Sequence, residues 1–512
     1  MVSTVFSAAL KGLKVEAVQV EADVRNGLPM FHMVGYLASE VKEAGERVRS
    51  AICNTEFQFP PKKIVVNLSP ADVRKRGTAF DLPIAVSVLA ALGQVQTEKL
   101  GQTMLIGELG LDGKVKKVTG VLPIVLAAKQ MGFKACIVPE DNRLEGEIVE
   151  GIWVIGVTSM REACSYLNGE KEFVLKKRPE QNTQEHREEL DFSDVQGQEV
   201  LIRAVEVAVA GAHNILMVGP PGAGKTMISR RIPTILPPLS MEESVELSSI
   251  YSIAGELDDQ VPLLTVRPFR EVHHSITKTA LLGGGNFPKP GEITLANHGV
   301  LFLDELAEFP KNILELMRQP MDTHKIRIVR SRQECEFPAN FLLVATMNPC
   351  PCGHYPDLNR CTCTGTQIQN HWNKISSPLM DRMDICVPAE RVTFAKIKKG
   401  KGAESSEAIR QRVIRAREMQ KERYKNSTTQ TNAQMSPAEV ETHCRLSASK
   451  QKMMEDVFQK MGLSMRAYHK ILCVARTIAD LSGEETISES HLSEAIGYRL
   501  PDRVYRGNGY EV

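Results

Sequence analysis

The chain has 512 residues, which is too many for one hydrophobic core and predicts roughly three domains. Its 63 Lys and Arg residues are balanced by 62 Asp and Glu residues, so no overall field attracts nucleic acid, and such binding would need local basic patches. No apolar run is long enough to span a membrane, and no charged segment precedes the short apolar run at the N-terminus. We therefore expect a cytoplasmic protein.

Residues 1–170 are predicted to form one compact α/β domain. Runs of β-forming residues alternate there with apolar patterns of helical period. The predicted strands are 15–20, 63–67, 134–138 and 153–157, and the predicted helices are 81–92 and 121–131. Residues 171–189 are polar and charged and contain too few apolar side chains to fold by themselves, which indicates a linker.

A second α/β region, residues 190–390, is followed by a helical region, residues 391–512. The helical region has no β-type runs, and its apolar residues recur with the period of an amphipathic helix. Helices are predicted at 407–424, 449–461, 464–481 and 490–498. In the third of these helices, the predicted apolar face consists of Ile471, Leu472, Ala475, Ile478 and Ala479.

Residues 219–226 carry the strongest functional signal, the sequence GPPGAGKT. A short apolar strand at 214–218 precedes it and a predicted helix at 227–236 follows it, which is the setting of a phosphate-binding P-loop. Backbone N–H groups at such a helix N-terminus favour a triphosphate. We predict that Lys225 neutralises the β- and γ-phosphate oxygens and that Thr226 ligates Mg²⁺. The predicted nucleotide-binding residues are Gly219, Pro220, Pro221, Gly222, Ala223, Gly224, Lys225, Thr226 and Met227.

Two further strands are predicted to supply polar side chains to this site. The apolar run that begins at residue 300 ends in Asp304, which would complete the Mg²⁺ shell, and Glu305, which would polarise the attacking water. The strand predicted at 341–346 is followed by Asn348, whose amide can hydrogen-bond the γ-phosphate or the water. Further along, Arg382 and Arg466 carry the rigid, permanently charged group that suits phosphate.

The motifs DFSDVQGQE (191–199), GPPGAGKT, LFLDEL, ATMNP, SPLMDR and SMRAYH follow the order found in AAA+ ATPases. Over nearly its whole length the chain resembles the magnesium-chelatase-like YifB/ComM family of these enzymes. The resemblance implies an N-terminal Lon-protease-like α/β domain of the ribosomal S5 type, a central AAA+ P-loop domain and a C-terminal helical lid. It also implies ATP and Mg²⁺ as ligands and a homo-oligomeric ring, usually a hexamer.

The resemblance also assigns roles to residues around the P-loop. Val195 and Gly197 would lie near the adenine, and Asn348 would be the first sensor of the γ-phosphate. Arg466 would be the second sensor, and Arg382 would be the finger that reaches into the neighbouring subunit's site.

The N-terminal domain is not expected to be a protease. In the proteolytic relatives that this resemblance implies, a serine nucleophile and an activating lysine would fall near Ala79 and Leu122. Neither side chain can attack a carbonyl or accept a proton. The domain would therefore stabilise the ring or bind DNA.

Two inserts are candidate DNA-binding elements. Residues 325–337 alternate like a β-hairpin, with Arg330 and Arg332 at the predicted tip. Residues 271–293 contain His273, His274 and three successive glycines, and they resemble the loop that lines the channel of related AAA+ helicases. The two arginines and two histidines are candidate phosphate contacts. The alternative, that both inserts are surface hairpins packed against neighbouring elements, stays open.

Four of the chain's 11 cysteines are clustered: Cys350, Cys352, Cys361 and Cys363. Cytosolic thiols stay reduced, and the odd total argues against a disulfide framework. The two C-x-C pairs offer four thiolates, which suit a closed tetrahedral Zn²⁺ site with no position left for chemistry. The alternatives are reduced thiols in a mobile loop, or His354 in place of one thiolate.

The combined features favour an ATP-driven ring motor on DNA, similar to the ComM-type helicases that migrate DNA branches during recombination or natural transformation. A protein remodeller or chaperone is the alternative from another class, because the chain resembles Lon-type and chelatase-type AAA+ machines. Metal insertion into a porphyrin is disfavoured, since it would need a partner subunit and no segment resembles a porphyrin pocket.

Overall fold

A computed structural model of the chain describes residues 2–170, 190–285, 288–330, 333–392 and 404–499. The predicted linker and the hairpin-tip residues Ser331 and Arg332 lie outside this description, as does the side chain of Arg330. Among the described helices, none combines the length and the apolar composition needed to cross a lipid bilayer. The predicted fold class is confirmed: two α/β regions are followed by a helical one.

The N-terminal region is built on a seven-stranded mixed sheet in the order β3-β4-β2-β1-β5-β8-β9. Its strands are β1 (Val2–Lys11), β2 (Lys14–Arg25), β3 (Met30–Val34), β4 (Lys63–Ser69), β5 (Thr103–Leu105), β6 (Glu108–Leu109), β7 (Val115–Lys116), β8 (Ala135–Pro139) and β9 (Trp153–Val157). Its helices are α1 (Ser39–Lys42), α2 (Ala44–Cys53), α3 (Asp81–Ala91), α4 (Val121–Gln130), α5 (Arg143–Gly146) and α6 (Met160–Leu167). The sequence of α3 is apolar on all sides, and all of its residues are buried, so it forms the centre of this core.

The central region is built on a five-stranded parallel sheet in the order β11-β14-β17-β10-β18. Its strands, with two short hairpins, are β10 (Ile215–Val218), β11 (Phe269–Val272), β12 (Gly283–Gly284), β13 (Lys289–Pro290), β14 (Val300–Leu303), β15 (Lys325–Arg330), β16 (Gln333–Pro338), β17 (Leu342–Met347) and β18 (Ile385–Pro388). Strands β10, β14 and β17 are continuous apolar runs because both faces of the sheet are covered. Polar residues that follow these strands therefore meet at one edge.

Helices surround this sheet. They are α7 (Glu199–Gly211), α8 (Lys225–Ser229), α9 (Ile232–Ile235), α10 (Met241–Ala254), α11 (Lys278–Leu282), α12 (Glu292–Leu295), α13 (Lys311–Leu316), α14 (Arg318–Thr323), α15 (Gly365–Trp372) and α16 (Ser377–Met380). The single helix predicted at 227–236 is wrong, because the chain breaks between α8 and α9. Pro233 has no backbone N–H to donate to the preceding turn. At the break, the guanidinium group of Arg231 donates to the carbonyl oxygens of Asp191 and Met227.

The C-terminal region is helical, as predicted. Its helices are α17 (Ser406–Arg423), α18 (Pro437–His443), α19 (Ala448–Met461), α20 (Met465–Leu481) and α21 (Glu489–Gly497), of which α18 was not predicted. The predicted apolar face of α20 is buried. It belongs to one hydrophobic cluster that also contains α7, α17 and a face of the central sheet. This cluster determines the side of the sheet on which the helical region packs.

The N-terminal region contacts the central region through α10. The backbone N–H of Gly120 donates to the carbonyl oxygen of Ser252 at 3.2 Å. The hydroxyl of Ser252 donates to the buried carboxylate of Glu145, and Lys117 pairs with Asp259. These contacts join the loop before α4 to the end of α10.

Candidate nucleotide site and cysteine cluster

The P-loop has an open face that suits a phosphate chain. Gly222 and Gly224 adopt φ angles of 77° and 82°, and a Cβ at either position would meet no protein atom within 4 Å. The opposite side of the loop is closed, since a Cβ at Gly219 would lie 2.2 Å from the carbonyl oxygen of Ala389. The loop therefore rests on the end of β18 and presents its glycines outward, as a site for ATP requires.

Lys225 is buried at the start of α8, between the loop and the neighbouring strand. Its Nζ donates to the carbonyl oxygens of Gly219 (2.6 Å) and Pro220 (3.1 Å), and to Oδ1 of Asn348 (3.3 Å). Burial lowers the pKa of Lys225 to about 8, although the carboxylates of Asp304 and Glu305 act to raise it. The ammonium group thus lies between the loop and Asn348, where a phosphate can compensate the charge that burial disfavours.

The two acidic residues follow β14 at the same edge of the sheet. Asp304 accepts hydrogen bonds from Oγ1 of Thr226 at 3.1 Å and from the hydroxyl of Thr346. The backbone N–H of Glu305 donates to the same Thr346 hydroxyl at 3.1 Å. Glu305 has a φ of 54°, a left-handed conformation that strains a non-glycine residue, and its side chain is exposed. Thr226 and Asp304 are thus adjacent, as shared Mg²⁺ ligands would be.

Nucleotide affinity should depend on pH through Lys225. A bound phosphate would raise the pKa of Lys225 above its value of about 8 in the free site, so binding takes up a proton once the pH exceeds that value. We therefore expect the affinity to fall above pH 8, by up to about tenfold per pH unit. A titration with a fluorescent, non-hydrolysable ATP analogue over this pH range measures the change. Wild-type affinity that stays constant up to about pH 9.5 would contradict the expectation.

The segment predicted to lie near the adenine is fixed to the P-loop by a residue that was not predicted. Val195 is buried, and Gly197 has a φ of 71°. Next to them, Nε2 of Gln198 donates to the carbonyl oxygens of Ala223 (2.8 Å) and Glu390 (2.6 Å). Gln198 therefore connects this segment with the loop and with the end of β18. The sequence signals were its place just before α7 and within the motif at residues 191–199.

Arg382 and Arg466 lie together, and away from the P-loop. Both guanidinium groups bind Asp322, and Nε of Arg382 lies 3.0 Å from each of its carboxylate oxygens. Burial acts to raise the pKa of Asp322, but the two arginines hold it below its usual value. Arg382 precedes β18 at the amino edge of the sheet, whereas the P-loop follows β10 at the carboxyl edge. Four strand residues, or roughly 13 Å, separate these edges.

The four predicted cysteines are brought together. Their Sγ atoms all lie within 4.8 Å of one another. Cys350 lies 3.4 Å from Cys352 and 3.8 Å from Cys361, and the distance between Cys352 and Cys361 is 3.6 Å. A tetrahedron with Zn–S bonds of ~2.3 Å has edges of ~3.8 Å, so the cluster has the size of a four-thiolate zinc site. His354 is not part of this group of ligand atoms.

Hydrogen bonding favours the thiolate form at Cys350 and Cys352, whereas burial raises the pKa of the Cys363 thiol to about 12. For the Cys352 thiol, burial acts to raise the pKa, but the backbone N–H groups of His354 and Thr362 lower it to about 6. The backbone N–H of Tyr355 points at the Cys350 sulfur at 3.4 Å. Such donors stabilise thiolates and orient them toward a metal.

The candidate DNA contacts lie on two elements, the β15–β16 hairpin and the loop that follows β11 at the carboxyl edge of the sheet. The predicted hairpin is formed by β15 and β16 in antiparallel register, from Lys325 opposite Pro338 to Arg330 opposite Gln333. The rings of His273 and His274, in the loop after β11, lie 4.0 Å apart, and His274 packs edge-on against Phe309. Their roles stay predictions.

The two positions that would carry a proteolytic dyad lie in one apolar cluster. Leu122 is fully buried there, and Ala79 packs against the same cluster. The backbone N–H of Leu122 donates to Glu145, the residue that also binds Ser252 of α10. This part of the N-terminal region packs as core and as a contact with the central region.

The fold and the P-loop define a AAA+ ATPase, and comparisons with known proteins identify the family. The magnesium chelatase subunit ChlI model matches residues 191–397, the model for subunit ChlI of Mg-chelatase matches 20–142, and its C-terminal model matches 403–499. Competence protein ComM of Haemophilus influenzae is 40% identical over 505 residues, 98% of each chain. YifB of Escherichia coli is 40% identical over 506 residues, again 98% of each chain. The chain belongs to this magnesium-chelatase-like family of AAA+ ATPases, which confirms the predicted resemblance.

A shorter similarity supports the predicted Lon-like region. A Lon protease of Lachnoclostridium phytofermentans is 29% identical over 161 residues, which are 29% of this chain and 20% of the protease. Family membership implies ATP and Mg²⁺ as ligands, which is consistent with the open P-loop and the adjacent Thr226 and Asp304.

Proposed function

We propose that the chain is one subunit of an ATP-hydrolysing ring, usually a hexamer in this class, that moves along single-stranded or branched DNA. Lys225 binds the β- and γ-phosphates, and Thr226 and Asp304 would hold Mg²⁺, which when bound neutralises phosphate charge. Glu305 accepts the proton of the attacking water, and Asn348 orients that water or the γ-phosphate. Each role is supported by the side chain's place at the carboxyl edge of the sheet.

The observation that supports a ring best is the position of the two arginines. Arg382 and Arg466 share Asp322 at the edge of the sheet opposite the P-loop, and they line a cleft of about 980 Å³. Roughly 13 Å of sheet separates this pair from the P-loop of its own subunit. Both are placed to approach a nucleotide held by an adjacent subunit, where a guanidinium can stabilise charge that develops on the phosphate. We therefore propose that Arg466, like Arg382, acts across the subunit interface.

DNA as the partner is supported by the basic β15–β16 hairpin. Lys325 pairs with Glu336 at 2.7 Å and Arg327 pairs with Glu334, so acids balance the charges near the base of the hairpin. Arg330 and Arg332, whose side chains lie outside the described part of the structure, flank the predicted turn in sequence, and we propose that they contact phosphates.

ATP turnover should therefore be stimulated by single-stranded or forked DNA, and the stimulation should fall steeply with salt. Changing both Arg330 and Arg332 to alanine should weaken DNA binding. The logarithm of the binding constant should also fall less steeply with the logarithm of the salt concentration, by about 0.7 in slope for each phosphate that the variant no longer neutralises. Phosphate release and DNA binding at several salt concentrations measure both effects. Arg415→Ala, at an exposed arginine of α17, is the control and should behave like the wild type. Stimulation by unfolded protein alone would instead support a remodeller.

We also propose that Cys350, Cys352, Cys361 and Cys363 hold one structural Zn²⁺. The support is the match between the observed sulfur distances of 3.4 to 3.8 Å and the edge of a zinc–thiolate tetrahedron, ~3.8 Å. Four protein ligands close the coordination sphere, so the metal would have no open position for catalysis.

A further inference from the structure

The cysteine cluster touches the nucleotide loop directly. Gly353, between Cys352 and His354, has a φ of 80°, and a Cβ at this position would lie 2.5 Å from Cδ of Pro221. Only a glycine therefore allows this turn and the P-loop to approach so closely. Pro221 belongs to the loop itself, three residues before Gly224, so the turn of the cluster forms one wall of the nucleotide site.

The same segment also carries Asn348. Nε2 of His371 lies 2.9 Å from the carbonyl oxygen of Asn348, and Nε1 of Trp372 donates to the carbonyl oxygen of Pro349 at 3.0 Å. Cys350 follows directly, so the first metal ligand lies two residues from the amide that contacts Lys225. The start of the cysteine segment is thus fixed by α15 on one side and joined to the nucleotide site on the other.

Between β17 and α15, however, the chain contains only turns, bends and irregular loop. Residues 348–364 include no strand or helix. Four metal–thiolate bonds would replace the missing secondary structure, because metal binding supplies folding free energy to short segments of this kind. Without them, the contact of Gly353 with Pro221 depends on turns alone.

We propose that the metal in the four-cysteine site braces the nucleotide loop, so that zinc occupancy sets the affinity for ATP. This inference rests on the proposed nucleotide and zinc sites. Zinc holds the turn at Gly353 against Pro221, and it holds the segment that begins at Asn348. The metal takes no part in the chemistry and acts through the position of the loop.

The test compares nucleotide affinity with and without the metal. Wild-type protein is stripped with a zinc chelator and then given one equivalent of zinc sulfate. Zinc is counted by emission spectroscopy, and affinity is titrated with a fluorescent, non-hydrolysable ATP analogue. We expect the stripped protein to bind the analogue at least about tenfold more weakly and zinc to restore the affinity. Equal affinity with and without zinc overturns the proposal.

Two glycine substitutions distinguish the effect of the contact between Gly353 and Pro221 from the effect of the metal itself. Gly353→Ala should keep one equivalent of zinc but bind the analogue about tenfold more weakly, because the new Cβ strains the turn and pushes against Pro221. Gly365→Ala, at the other end of the segment, is the matched control, since its Cβ would meet no atom within 4 Å. A Gly353→Ala protein that binds the analogue with wild-type affinity overturns the proposal. Because the readout is binding, a protein that binds ATP without hydrolysing it would contradict the proposed function and leave this inference standing.

Discussion

Replacing Arg382 with alanine is expected to reduce ATP turnover by about 10³- to 10⁵-fold while leaving nucleotide affinity nearly unchanged. The P-loop of each subunit stays complete, because Arg382 contacts Asp322 and the carbonyl oxygen of Pro378 rather than Lys225. On the proposed ring arrangement, the variant instead lacks a fixed positive charge beside the phosphate of the adjacent subunit. Arg382→Lys should recover little of the rate, since an ammonium cannot reproduce the planar fork. Phosphate release and binding of a fluorescent ATP analogue measure the two quantities.

Arg161→Ala is the control for this prediction. Arg161 is 66% exposed and pairs with Glu56 at the surface of the N-terminal region, so its loss should change neither turnover nor affinity. Substantial turnover by Arg382→Ala, above one tenth of the wild-type rate, would show that the site works without this arginine.

Glu305→Gln is expected to stop hydrolysis and keep ATP bound. The amide cannot accept the proton of the attacking water, and general-base catalysis contributes about 10²- to 10⁴-fold. The left-handed backbone at Glu305 and its N–H bond to Thr346 do not involve the carboxylate, so the variant should fold and bind Mg²⁺ with ATP. Single-turnover hydrolysis and nucleotide retention after gel filtration measure the effect.

Glu308→Gln provides the matched control three residues later. Glu308 pairs with Lys374 at 3.4 Å, and both side chains are about half exposed, so its loss should leave turnover within about twofold of the wild type. A Glu305→Gln protein that hydrolyses ATP as fast as the Glu308→Gln protein would remove Glu305 from the proposed mechanism.

The sequence predicted the carboxyl edge of the central sheet well, for a physical reason. Lys225, Asp304 and Asn348 each follow a short apolar run, and parallel strands with both faces covered end at one common edge. The cysteine cluster was also predictable, because ligand type and spacing are local properties. The two N-terminal helices that were predicted, α3 and α4, end within one residue of their predicted bounds because each is a long apolar run followed by a glycine with positive φ; α1, α2, α5 and α6 were not predicted.

Features that depend on packing between distant elements were not predictable. Gln198 and Thr346 are single polar residues whose partners lie on other strands and loops. The placement of Arg466 beside Arg382 follows from the cluster of α7, α17 and α20, which positions the helical region at the amino edge. Local periodicity carries no information about that choice. The close approach of Gly353 to Pro221 is likewise visible only in three dimensions.

The most direct test of the interface is to mix two inactive variants. Lys225→Ala lacks a working P-loop but keeps Arg382, and Arg382→Ala has the opposite defect. If each nucleotide is cleaved between subunits, random assembly of equal amounts places an intact P-loop opposite an intact Arg382 at about one quarter of the interfaces. The mixture should therefore regain ATP turnover that neither variant shows alone. A mixture that stays as inactive as its components, although the two variants co-assemble, would contradict the account.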